Sequence, residues 1–78
     1  MEIRYAKAAV KVINGMNRPT KQRIKAGIEK LPQGDIKPFK GSPGTYRLRV
    51  GDWRILFSYP ECDTILIEKI GPRGGVYK

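Results

Sequence analysis

The chain contains no histidine and one cysteine among its 78 residues. Without histidine, the side chain that ordinarily exchanges protons near neutral pH is missing, and with it the usual general acid and base of hydrolytic enzymes. A single cysteine forms no internal disulfide, and one cysteine without histidine supplies no ligand set for a zinc-type metal site. Small secreted domains usually lean on bridges, so a bridge-free chain of this size reads as cytosolic. Long apolar runs are also absent. The start, Met1-Glu2-Ile3-Arg4-Tyr5, has no signal-peptide core, and nowhere do enough apolar residues follow one another to span a bilayer, so no membrane-spanning role is expected. Negative charge is scarce as well: seven Asp plus Glu stand against 16 Lys plus Arg, a net charge of +9.

What is present fits one small domain over residues 1–78. A chain this short buries only about 60% of its unfolded surface, so its core is thin. At 40% hydrophobic content it is nevertheless globular rather than a disordered basic tail. So large a positive charge on so small a body calls for a polyanionic partner: nucleic acid first, then an acidic protein, then an anionic membrane surface. The basic residues of the first half are mostly lysine, whereas the second half carries Arg47, Arg49, Arg54 and Arg73. Arginine is the better phosphate fork, because its planar donors match two phosphate oxygens.

Ile3 and Tyr5 alternate with Glu2 and Arg4 as an edge strand would. Tyr5, Ala9, Val12, Ile13 and Met16 then fall on one face of a helix, with Lys7 and Lys11 on the other. Gly15 and Asn17 end that helix, and Asn17 is placed to cap a second one, with Pro19 harmless in its first turn. Ile24, Ile28 and Leu31 stripe the second helix, which stops at Pro32-Gln33-Gly34-Asp35. After a loop at Lys40-Gly41-Ser42-Pro43-Gly44, two period-two runs (residues 45–50 and 53–59) flank Gly51-Asp52 and predict a tight hairpin. A third run, residues 64–70, is apolar on both faces, with Ile65 and Ile67 on one and Leu66 and Ile70 on the other, as a central strand would be. Gly71-Pro72-Arg73-Gly74-Gly75 reads as a turn. The expected fold is α+β, in the order β-α-α-β-β-β, with a helical hairpin on one face of a mainly antiparallel four-stranded sheet.

A two-residue turn at Gly51-Asp52 sets Val50 opposite Trp53, Leu48 opposite Ile55 and Tyr46 opposite Phe57, a wholly apolar face that belongs under the helices. The other face sets Arg47 opposite Leu56 and Arg49 opposite Arg54. Like charges directly opposite cost a strand pair roughly 0.2–1 kcal/mol, so three arginines there point to an anion site. Spacing alone does not bring Arg73 and Tyr77 to that face, and Tyr77 also reads as an aromatic covering the sheet edge. Cys62, between Glu61 and Asp63, reads as a bystander, since nearby carboxylates disfavour a thiolate. Glu68 reads as the partner of an arginine, with service as a base the less favoured role. Gly41-Ser42-Pro43-Gly44 lacks the ending of a phosphate-binding loop.

The stretch from Tyr46 to Phe57, with Trp53-Arg54 after the turn, followed by Ile67-Glu68-Lys69-Ile70-Gly71-Pro72-Arg73 and Val76-Tyr77, resembles the RelE/ParE superfamily of bacterial toxins. The resemblance is specific over residues 43–77 and architectural before them. It implies the toxin half of a type II toxin–antitoxin pair, held by an acidic antitoxin protein within a hetero-oligomer in which the toxin itself is monomeric. The superfamily holds two activities: ribosome-dependent endoribonucleases that cut mRNA in the A site, and gyrase inhibitors that cleave no RNA. The ribonuclease branch adds a basic pair on the strand before Trp53-Arg54, an arginine after the last core strand and a tyrosine near the C-terminus. Those positions hold Arg47, Arg49, Arg73 and Tyr77, which favours the ribonuclease.

On that resemblance Arg54, Arg73 and Tyr77 are the expected catalytic residues, and Arg47 and Arg49 the expected holders of RNA phosphates. Lys7, Lys11, Lys21 and Lys25 are candidate contacts to ribosomal RNA, or else a solvated basic surface. No cofactor and no metal are expected. Model members of the branch carry lysines at the basic pair. Arginine, unlike lysine, does not give up its proton in proteins, so a lysine-like base is not available at residues 47 and 49.

Overall fold

In a computed structural model, residues 2–31 and 33–72 are described. Seven elements follow one another: β1 (Glu2–Tyr5), α1 (Lys7–Asn14), α2 (Arg18–Glu29), β2 (Asp35–Pro38), β3 (Thr45–Val50), β4 (Trp53–Glu61) and β5 (Thr64–Pro72). The strands form one sheet in the order β1-β5-β4-β3-β2, with β1 parallel to β5 and every other pair antiparallel. The sheet thus has five strands rather than the four expected from the sequence. The added strand, β2, is a four-residue edge strand that ends on Pro38, too short and too polar to show a period.

Tyr5 pairs with Ile67 as the last residue of β1, so the first helix begins at Lys7 rather than at Tyr5. Asn17 caps α2 as expected, its Oδ1 accepting from the Thr20 N–H at 2.9 Å. Gly27 lets α2 press on the sheet: a Cβ there would lie 2.7 Å from a Val50 methyl.

The core lies between the helical hairpin and one face of the sheet. Ala9, Ile13, Ile24, Ile28 and Leu31 come down from the helices onto Leu48, Ile55, Phe57, Ile65, Ile67 and Ile70. The rings of Tyr46, Phe57 and Tyr59 extend it, with centroids 5.7–5.8 Å apart. Ile70 belongs to this core and not to the opposite face. A register shift between β4 and β5 pairs Leu56 with Lys69 but Phe57 with Ile67, leaving Glu68 without a partner residue. That bulge resets the alternation, so Ile70 returns to the helix side. Residues 71 and 72 continue β5 instead of turning, opposite Arg54 and Trp53. None of the described helices is long and apolar enough to cross a membrane.

Candidate anion-binding face

The face of the sheet turned away from the helices is built by the β3–β4 hairpin. Gly51 takes φ +60°, the conformation a first turn residue of this hand needs and glycine adopts without strain. The two-residue turn fixes the register, and the observed pairs are those expected: Val50 with Trp53, Arg49 with Arg54, Leu48 with Ile55 and Arg47 with Leu56. Every apolar member but Leu56 therefore faces the helices, and Arg47, Arg49 and Arg54 share the other side.

The neighbouring strands add to that side. Lys37 of β2 lies opposite Arg47, and Asp35 opposite Arg49. Lys69 of β5 lies opposite Leu56, and Gly71 opposite Arg54. Five cations from four strands thus surround Leu56, which is 5% exposed although it lies outside the main core. Beside Arg47, Lys37 and Lys40 line an open cleft of about 330 Å³ with Pro38 and Phe39.

Little within the protein neutralises these cations. The one ion pair among the described residues joins Arg4 to Glu2 on the far edge strand. Arg49 Nε donates weakly, at 3.4 Å, to the Gly51 carbonyl. Arg47 Nε and Arg54 Nε and Nη1 are buried with no hydrogen-bond acceptor among the described residues. A buried donor left unpaired costs about 1–3 kcal/mol, more for a charged group. The arrangement is therefore suited to a ligand that brings acceptor oxygens and negative charge, as a phosphodiester does.

The sequence-based site is brought together only in part. Arg47, Arg49 and Arg54 share one face. Arg73 and Tyr77 lie outside the described residues. Lys7, Lys11, Lys21 and Lys25 ride on α1 and α2, across the sheet from the arginines. They form a second basic surface and take no part in the arginine face. Glu68 pairs with no arginine among the described residues; its Oε2 accepts from the Ser58 hydroxyl. Cys62 is exposed in the β4–β5 turn. Lys37, Lys40 and Lys69 went unselected by sequence reasoning. The signal that would have found Lys37 is its position next to Ile36, the one inward residue of β2.

The description "ParE toxin of type II toxin-antitoxin system" belongs to the family whose sequence model matches residues 3–77. Toxin RelE3 of Methanocaldococcus jannaschii is 32% identical over 85 residues, covering 99% of this chain and 96% of that protein. The toxin in the crystal structure of a RelB-RelE antitoxin-toxin complex from Methanococcus jannaschii is 31% identical, with a TM-score of 0.76 over 95% of this chain and 94% of that one. The isolated Escherichia coli RelE toxin is 16% identical with a TM-score of 0.73, over 97% and 89% of the two chains, a likeness of fold.

Proposed function

The chain belongs to the ParE toxin family of type II toxin–antitoxin systems, on its RelE-like side, and from that premise we propose that it is a ribosome-dependent endoribonuclease that cuts mRNA in the A site. It stops translation until an acidic antitoxin masks it, and both act in the cytoplasm. The observation that carries this reading is the pair of half-buried guanidinium groups, Arg47 and Arg54, whose inner N–H groups have no acceptor among the described residues, on a face with Arg49, Lys37 and Lys69. The likeness to RelE toxins, with identities of 31% and 32%, gives that face its substrate class.

Cleavage through the 2′-hydroxyl requires loss of the 2′ proton, stabilisation of the extra charge on the phosphorane, and protonation of the leaving 5′-oxygen. Arg54 holds the charge that develops on phosphorus, together with Arg73. Arg47 and Arg49 grip the flanking phosphates. Tyr77 handles a proton. No metal takes part. Without histidine the protein alone is a poor catalyst, and the ribosome supplies the in-line geometry by splaying the mRNA. Lys7, Lys11, Lys21 and Lys25 hold ribosomal RNA on the helix side.

A second reading, inhibition of DNA gyrase without cleavage, draws support from the family description itself, which names ParE. Primer extension on mRNA after induction separates the two. Cuts at codon boundaries are expected. Intact mRNA together with an SOS response overturns the ribonuclease and supports the gyrase inhibitor.

A further inference from the structure

The arginine face lacks an obvious base. Arginine keeps its proton, and the chain has no histidine. Two carboxylates nevertheless stand on that side: Asp35, exposed on the edge strand opposite Arg49, and Glu68 on β5. The bulge between Leu56 and Phe57 leaves Glu68 unpaired in the ladder, immediately before Lys69, which faces Leu56. Glu68 Oε2 accepts from the Ser58 hydroxyl. Ser58 pairs with Thr45 and Leu56 with Arg47, so Ser58 lies on the arginine side of β4. The Glu68 carboxylate is therefore held on that same side, half-buried and bonded to no cation among the described residues. Lys37, Arg47, Arg49, Arg54 and Lys69 are the cations around Leu56, Asp35 lies opposite Arg49, and Arg4 stands on β1 beyond Leu66.

A bulge that places two successive side chains on one face re-aims a residue at the cost of ladder pairing, and such irregularities are common beside active sites. A carboxylate attracted only by net charge would close on a guanidinium; this one is held short of them by a neutral hydroxyl. Resting on the ribonuclease reading, we propose that Glu68 is the general base of the reaction and that Ser58 positions it. The 2′-hydroxyl proton passes to the Glu68 carboxylate while the 2′-oxygen forms a bond to phosphorus. The bond from phosphorus to the 5′-oxygen breaks, and that oxygen takes a proton from water. The products are a 2′,3′-cyclic phosphate and a 5′-hydroxyl, and Glu68 then returns its proton to solvent.

The test is single-turnover cleavage of mRNA on programmed ribosomes by the wild-type chain and by Glu68→Gln, with ribosome affinity measured alongside. Glutamine keeps an oxygen for the Ser58 hydroxyl but cannot take the proton. The cleavage rate is expected to fall by on the order of 10²–10⁴-fold while ribosome affinity holds, and Glu68→Asp to restore part of the rate. A second variant, Ser58→Ala, keeps the carboxylate and cuts its tether, and is expected to slow cleavage about tenfold. Wild-type cleavage with an undiminished rate in Glu68→Gln overturns the base and leaves the ribonuclease standing. An undiminished rate in Ser58→Ala overturns its positioning by the hydroxyl. Wild-type chain that leaves ribosome-bound mRNA intact overturns both readings together.

Discussion

Arg54 weakens the fold it belongs to. Its Nε and Nη1 are buried without acceptors among the described residues, and its cross-strand neighbour is another arginine, Arg49. A side chain retained for packing would cost the protein when removed; one retained for an anion would not. Arg54→Ala is therefore expected to abolish most toxicity, through the loss of about 2.7–4 kcal/mol of transition-state stabilisation. Its thermal midpoint is expected to match or exceed that of the wild type, since two unpaired buried donors disappear with the guanidinium. Growth arrest by the variant at equal expression places the site elsewhere, and a large drop in melting temperature makes Arg54 structural.

The β3–β4 hairpin is the element that converts sequence into site, because its turn sets which side of the sheet each arginine occupies. Gly51 is its weak point. An alanine there meets φ +60°, and its Cβ would lie 2.9 Å from Arg23 Nη2 on α2. The guanidinium is the end of a flexible side chain and moves aside, so the backbone conformation dominates, at roughly 1–2 kcal/mol. Gly51→Ala is expected to lower the thermal midpoint by about 4–16 °C on the usual scaling for so small a domain. An unchanged midpoint means the turn does not hold the register. The cap of α2 is the second test at this scale. Asn17→Ala leaves the Thr20 N–H without its acceptor and is expected to cost about 1 kcal/mol in chemical denaturation. A loss below a few tenths of that shows the helix to be held by packing alone.

At the scale of the whole molecule the charge is arranged in two surfaces. The helices carry lysines outward on one side of the sheet, and the other side carries Lys37, Arg47, Arg49, Arg54 and Lys69. If those five cations engage phosphates, ribosome or RNA binding has a slope of roughly −3.5 to −4.5 in log K against log salt. A flat dependence between low and moderate salt leaves the charge as an aid to solubility. Masking by an antitoxin is expected at the same surface. An acidic segment that folds onto the toxin is expected either to neutralise the arginines or to act on Tyr77, and only the first route weakens with salt. Titration with antitoxin at low and high salt, read by ribosome binding, distinguishes them. Ribosome binding that survives saturating antitoxin rules out masking of this face.

The sequence by itself determined the helical hairpin, the β3–β4 register and the separation of apolar from basic sides. Each is a local consequence: helical spacing in residues 9–16 and 24–31, a glycine that takes positive φ, and alternation with a period of two on either side of it. Family resemblance added the substrate class. Tertiary structure decided what depends on non-local pairing. β2 exists because β3 offers it an edge, and it brings Lys37 and Asp35 opposite Arg47 and Arg49. The bulge in β5 exists only relative to β4. Strict alternation put Ile70 on the wrong side, and the mismatch of one residue between the strands both returns it to the core and frees Glu68. That Arg47 and Arg54 meet no acceptors among the described residues, and that Glu68 is held there by Ser58 instead of by an arginine, are facts about which side chains meet across strands. A linear pattern names the residues able to bond, but only their packed geometry decides which of them do.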